Sequence, residues 1–262
     1  MSNYSVLFLD IDGTILKADH TIEDSTKEAI KQIKQQGIEI FLATGRPLHE
    51  VYHIAEELDV RSFIGYNGAY ASYRKEIIYN RPMNPKIVNH YIEICAKHDH
   101  EMVLYTTSQN LFTEIHTDVV QQFIHYFDLK ENASYDPKYN DQILGITLMN
   151  LKENEPKLYE TDAPIFFSQV NVHGLTHSYD VIQDQVNKGN TIRHVLDLLK
   201  LSPEQAIAFG DGLNDKQMLQ VVGTSFAMEN AHPDLFSYAK YRTTSVDDNG
   251  IYNGLKTLGL IK

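Results

Sequence analysis

Two carboxylates close an apolar run in VLFLDIDGTI (residues 6–15), and two more follow another such run in AIAFGDGLND (residues 206–215). Asp10 and Asp12 stand two residues apart at the end of an expected strand, which predicts side chains on one side with attachment points roughly 6–7 Å apart. Two unit charges about 6 Å apart cost on the order of 3 kcal/mol at an effective dielectric near 20, so stability alone does not explain the pair and a cation is expected beside it. Asp211 and Asp215 repeat the arrangement at a second strand end. Clustered hard oxygen donors next to glycine-rich turns suit Mg²⁺, which takes few protein carboxylates and leaves the rest of its shell to water and phosphate oxygens. Two other segments bring the opposite polarity. IFLATGR offers the Thr44 hydroxyl and the Gly45 amide at the start of a helix, and NKGNT offers Lys188 just before one. Carboxylates, hydroxyl and ammonium together outline a phosphoryl-transfer site, where one carboxylate attacks phosphorus while cation and lysine neutralise oxygen charge.

Singly, these pieces have plainer readings. An Asp-x-Asp at a strand end is also a turn or cap, and GDGLND is also an Asx turn followed by a helix N-cap. Their chemistry therefore depends on elements that bring them together. VLFLDI is a short, continuously apolar run of the kind buried on both faces of a parallel sheet; DSTKEAIKQIKQQG has helical spacing closed by a glycine, and IEIFLATG is a second strand. RPLHEVYHIAEEL and VRSFIGYNG repeat the rhythm, and it returns late in the chain with NTIRHVLDLLKL, AIAFGD, NDKQMLQVV and TSFAM. Both ends of the chain are thus expected in one α/β sheet, whose strand C-termini gather at a single edge where ligands bind.

From about residue 82 to 187 the rhythm breaks into short strands such as EMVLYTT, LFTEI and QILGITLM among helices and polar turns, which predicts an inserted α+β domain. That segment carries 15 Asp plus Glu but only 6 Lys and no Arg, so it holds most of the formal charge of −12. Such acidity disfavours nucleic acid and anionic membranes and favours a small-molecule partner. At 262 residues and 42% hydrophobic content the chain is long enough for a core plus a smaller domain. No apolar stretch reaches the roughly 18–20 residues of a membrane span, and no basic-then-apolar leader begins the sequence, so a cytoplasmic protein is expected. A monomer is mildly preferred. Cys95, the one cysteine, falls among apolar neighbours in IVNHYIEICAKH, where a small buried thiol is commonplace. Histidines at 98, 100, 173 and 177 raise the question of zinc, but none sits in an HExxH pattern and paired surface histidines are common.

As a set, DIDGT, ATGR, the lysine of NKGNT and GDGLND resemble the four motifs of the haloacid dehalogenase (HAD) superfamily, in its Cof-type branch with a large cap inserted between the second and third motifs. The resemblance covers the whole chain. It implies a Rossmann-like HAD core (1–81 and 188–262) with a mainly parallel sheet, and a C2-type cap (82–187) that closes over the phosphate site and chooses the leaving group. It implies Asp10 as the nucleophile that forms an aspartyl-phosphate, and Asp12 as the group that protonates the leaving oxygen and then takes a proton from water. It further implies Mg²⁺ held by Asp10, the Asp12 main-chain carbonyl and Asp211, with Asp215 supporting the site and orienting Lys188. Thr44, Gly45 and Lys188 would bind the phosphoryl group with Asn214 beside them, and Arg46 and Asn67 would line the substrate side. Arg46 could also be a surface residue of a first helical turn, and Asn67-Gly68 a simple tight turn.

The expected activity is Mg²⁺-dependent hydrolysis of small phosphomonoesters such as sugar phosphates or phosphorylated cofactors. A phosphotransferase or phosphomutase would use the same residues with a hydroxyl acceptor. A non-catalytic phosphoacceptor of the receiver kind is a third reading, but it has no need of an acid for a departing alcohol, which is the place of Asp12.

Overall fold

The computed structural model describes residues 3–170 and 172–262, which form two compact units. One comprises the chain up to Arg46 together with Tyr52–Asn80 and Asn187–Lys262; the other comprises Pro47–Val51 and Arg81–Val186. Among the described residues no helix is long and apolar enough to cross a membrane.

The chain starts with β1 (Val6–Leu9), α1 (Asp24–Gln35), β2 (Glu39–Ala43), α2 (Leu48–Glu57, of which Leu48–Val51 falls in the second unit) and β3 (Ser62–Gly65). A hairpin of β4 (Tyr70–Tyr73) and β5 (Glu76–Asn80) follows. Within the second unit lie α3 (Pro85–His98), β6 (Glu101–Tyr105), β7 (Asn110–Phe112), α4 (Asp118–Phe127), β8 (Asn132–Ser134), β9 (Gly145–Met149), β10 (Ile165–Gln169) and β11 (Tyr179–Gln183). The chain returns to the first unit through α5 (Lys188–Leu199), β12 (Ala206–Gly210), α6 (Lys216–Val221), β13 (Thr224–Ala227), β14 (Tyr241–Arg242) and α7 (Gly250–Thr257).

The eight strands of the first unit run in the order β14-β13-β12-β1-β2-β3-β4-β5, parallel from β14 through β3. The β1 strand lies at the centre, with Leu9 opposite both Leu42 of β2 and Phe209 of β12. Its alternation serves two faces: Val6 and Phe8 join the core made by Ile192, Val195 and Leu196 of α5 and Met218 and Leu219 of α6, while Leu7 and Leu9 are fully buried on the other side. On that opposite face α7 approaches closely, because a Cβ on Gly254 would lie 2.5 Å from the Phe209 ring.

The β3-β4-β5 edge is antiparallel. Arg74 and Lys75 form its two-residue turn with φ of 50° and 76°, between the paired Tyr73 and Glu76. Both central residues are left-handed, as a type I′ hairpin requires, although neither is the usual Asn or Gly.

The second unit has a six-stranded sheet in the order β10-β11-β9-β6-β7-β8, with only the β7-β8 pair parallel. Alternation along β6 again separates two cores: Met102 and Leu104 pack with Val88, Tyr91 and Cys95 of α3, and Val103 packs with Val120 and Phe123 of α4. The Cys95 thiol is buried against the Tyr159 hydroxyl at 3.2 Å, and burial pushes it up to about 12, which makes it an inert core group.

Candidate active site

Lys188 is the first residue of α5, one position further into the helix than its sequence suggested, because the Asn187 side chain caps the helix by accepting a hydrogen bond from the Asn190 amide at 2.9 Å. An ammonium at a helix N-terminus meets the positive end of the dipole, and this one is fully buried. Two carboxylates offset the cost: Lys188 Nζ donates to Asp10 Oδ1 and to Asp215 Oδ1, each at 2.6 Å. Burial pulls the ammonium down, but the charges of Asp10 and Asp215 outweigh it and hold Lys188 above its usual range.

Each acid arrives from a strand end. Asp10 follows β1, its amide still donating to the Phe209 carbonyl at 3.1 Å, so it continues the Val6–Phe8 alternation toward the α5 face. Asp215 is fully buried in the turn after β12, where its Oδ2 accepts from the Asp211 and Gly212 amides at 3.0 Å each. Asp211 accepts from the Thr14 hydroxyl at 3.3 Å. Oxygens of Asp10, Asp211 and Asp215 lie within 4.8 Å of one another. Burial and the neighbouring Asp215 charge raise Asp10 well above the ordinary carboxylate range and push Asp211 up to about 7. Three carboxylates against one ammonium leave the cluster with excess negative charge, and all its donors are hard oxygens. That donor set fits a divalent cation of the Mg²⁺ class.

Asp12 parts from this cluster, contrary to the expectation that Asp10 and Asp12 project on one side. The β1 strand ends at Leu9, and the Thr14, Ile15 and Leu16 amides all turn back to the Ile11 carbonyl, so the two-residue spacing no longer puts both acids on one strand face. Gly13 makes the turn possible: its φ is +74°, and a Cβ there would stand 2.2 Å from Asp211 Oδ2. Asp12 instead accepts a two-pronged interaction from Arg46, with Nε donating to Oδ2 at 2.8 Å and Nη2 donating to Oδ1.

Thr44 is buried at the end of β2, its amide donating to the Ile64 carbonyl at 2.8 Å and its hydroxyl accepting from the Arg46 amide at 3.0 Å. The Gly45 amide does not begin a helix as expected. Pro47 disfavours helical backbone at Arg46, and α2 starts only at Leu48. Asn67 does form a tight turn, with φ of 53°, and it also joins the site: its Oδ1 accepts from Asn214 Nδ2 at 3.0 Å and leaves no room for a Cβ on Gly45, which would meet it at 2.9 Å.

Asn230 was not foreseen. Its side-chain amide donates to the Gly13 carbonyl at 2.8 Å and its oxygen accepts from the Val246 amide at 2.9 Å, so it braces the loop that carries Asp12. A single asparagine outside any recognised pattern gives no sequence signal for this. Two histidines of the second unit have partners within it: both ring nitrogens of His100 are engaged, by Tyr159 at 2.9 Å and Glu155 at 3.1 Å, and His177 Nδ1 accepts from the Asn150 amide at 3.2 Å.

The family described as haloacid dehalogenase-like hydrolase matches residues 7–255. YkrA of Bacillus subtilis (strain 168) is 32% identical over 257 residues, covering 98% of each chain, and phosphatase YwpJ of the same organism is 23% identical over 97% of this chain and 99% of its own. Among solved structures, a Geobacillus kaustophilus protein superposes with a TM-score of 0.91 at 30% identity, covering 98% of this chain and 100% of its own. The HAD subclass IIB sugar phosphatase BT4131 shares the fold with a TM-score of 0.82 at 24% identity, covering 98% of this chain and 100% of its own. The chain belongs to the haloacid dehalogenase-like hydrolases, in their Cof-type phosphatase branch.

Proposed function

We propose that the protein is a Mg²⁺-dependent phosphatase that hydrolyses small phosphomonoesters through an aspartyl-phosphate on Asp10. The observation that carries this reading is the buried Lys188 ammonium shared by Asp10 and Asp215 at 2.6 Å each, beside Asp211. It fixes one oxygen of the nucleophile and sets a positive charge where phosphoryl oxygens would lie. Asp10 attacks phosphorus, forming an aspartyl O–P bond as the ester P–O bond breaks, and Asp12 gives its proton to the departing alkoxide. Asp12 then takes a proton from a water that attacks the same phosphorus, the aspartyl bond breaks, and orthophosphate leaves. General acid–base help of this kind contributes about 10² to 10⁴ in rate. Asp10, Asp211 and the Asp12 main-chain carbonyl would hold Mg²⁺, which when bound adds positive charge against the phosphoryl oxygens. Thr44, Gly45 and Asn214 are assigned to the phosphoryl group, and Asn67 to the substrate side through its contact with Asn214.

A sugar phosphate is the favoured substrate class, supported by the shared fold with the sugar phosphatase BT4131 and by the net charge of −12, which suits a small ligand over a polyanion. Purified protein is expected to release phosphate from p-nitrophenyl phosphate in the presence of Mg²⁺. Asp10→Asn keeps the side-chain shape and is expected to lower turnover by at least about 10³-fold with an unchanged circular dichroism spectrum. Undiminished turnover in a folded Asp10→Asn protein would overturn the assignment of the nucleophile.

A further inference from the structure

The family resemblance put Arg46 on the substrate side, with a surface place in a first helical turn as the alternative, yet its guanidinium is spent on a carboxylate of the protein itself. We propose that Arg46 is a positioning residue that holds the Asp12 carboxyl group in one orientation, and that it acts on the reaction through Asp12 and not by binding substrate. This rests on the phosphatase reading above, since it supplies a partner for a group to which that reading gives a role.

Three features carry it. The pairing is a fork: Nε and Nη2 of Arg46 engage different oxygens of the ionised Asp12, which fixes the plane of the carboxylate as well as its position, and each oxygen keeps a second lone pair that can take the proton Asp12 carries. The base of the fork is rigid, because the Arg46 amide donates to the buried Thr44 hydroxyl at 3.0 Å, its carbonyl accepts from the Tyr66 amide at 3.3 Å, and Pro47 follows. The pair also has little to do with stability. The Arg46 and Asp12 side chains are 32% and 49% exposed, and ion pairs in such positions add little to folding stability. Asp10 and Asp215 are oriented by Lys188 and by main-chain amides, whereas Asp12 stands half in solvent, where an untethered carboxylate would sample several rotamers.

The test compares phenyl phosphate with p-nitrophenyl phosphate, two esters of similar shape whose leaving groups differ in their need for an acid. The parameter kcat/KM reports only steps through departure of the phenol. Arg46→Ala is expected to lower kcat/KM for phenyl phosphate on the order of 10-fold or more, with a clearly smaller loss for the nitrophenyl ester. Arg46→Lys, which keeps the charge but not the fork, is expected to recover only part of the loss. In an Asp12→Asn background, Arg46→Ala is expected to add less than about twofold, as full coupling through one residue requires. Equal losses on both esters through a raised KM, or a further tenfold loss in the Asp12→Asn background, would overturn the proposal and return Arg46 to substrate binding. A wild-type protein that turns over neither ester with Mg²⁺ would instead overturn the phosphatase reading.

Discussion

At the scale of single residues, the site is a cluster of acids whose charges exceed its one buried cation. Asp10 and Asp211 both have folded-state values above the ordinary carboxylate range, so the metal-free folded protein holds protons that the unfolded chain releases. Their contribution to stability is complete below pH about 4 and is lost as pH rises, for Asp211 through about 7. Thermal unfolding in a chelator is therefore expected to show a falling Tm from pH 5 to 8. Protons and cation compete for the same oxygens, so excess Mg²⁺ is expected to raise Tm far more at pH 8 than at pH 5. An equal increment at both pH values would show that these carboxylates do not hold the cation. Asp10, Lys188, Asp211 and Asp215 were legible in the sequence because each adjoins an apolar run or a helix start, and the sheet leaves such positions little freedom. The direction of Asp12 was not legible. It is decided by where β1 stops and by the left-handed turn at Gly13, and neither shows in a two-residue spacing.

At the scale of elements, α5 and α6 set the position of Lys188 by how closely they pack. A Cβ on Gly189 would lie 2.5 Å from the Gln217 main-chain carbonyl oxygen on α6, so the helices meet backbone to backbone one residue after the lysine. Gly189→Ala is expected to cost about 2–3 kcal/mol in urea unfolding, in the range of overpacked cores, and to lower kcat by displacing Lys188. Gly37→Ala is the comparison: its φ of +79° is strained for alanine, but nothing lies within 4 Å, so it is expected to cost about 1–2 kcal/mol without touching turnover. Matching losses of activity in the two variants would detach Lys188 from helix packing. The helices and parallel strands were readable from periodicity, with α5 beginning at Lys188, two residues before the NTIRHVLDLLKL run, and α2 three residues after Gly45. The β4-β5 hairpin was not readable, because Arg74-Lys75 fills a turn that sequence patterns associate with Asn-Gly.

At the scale of the molecule, the parallel sheet brings together groups that are remote in the chain, with Lys188 bonded to an aspartate 178 positions away. Central placement of β1 between β2 and β12 accounts for this, since it sets the first acidic motif between the strand ends that carry Thr44 and Asp211. The same arrangement was inferable from βαβ rhythm at both ends of the chain, whereas the brace from Asn230 to Gly13 depends on loops that follow no period. All of it leads to one covalent event at one side chain. The direct measurement is to quench the protein during turnover of a phosphomonoester with Mg²⁺, reduce with borohydride and map the peptides, because an aspartyl-phosphate is reduced to homoserine. The account predicts homoserine at position 10 only when substrate and Mg²⁺ are both present; steady phosphate release with position 10 still aspartate, or with homoserine at another aspartate, would contradict it.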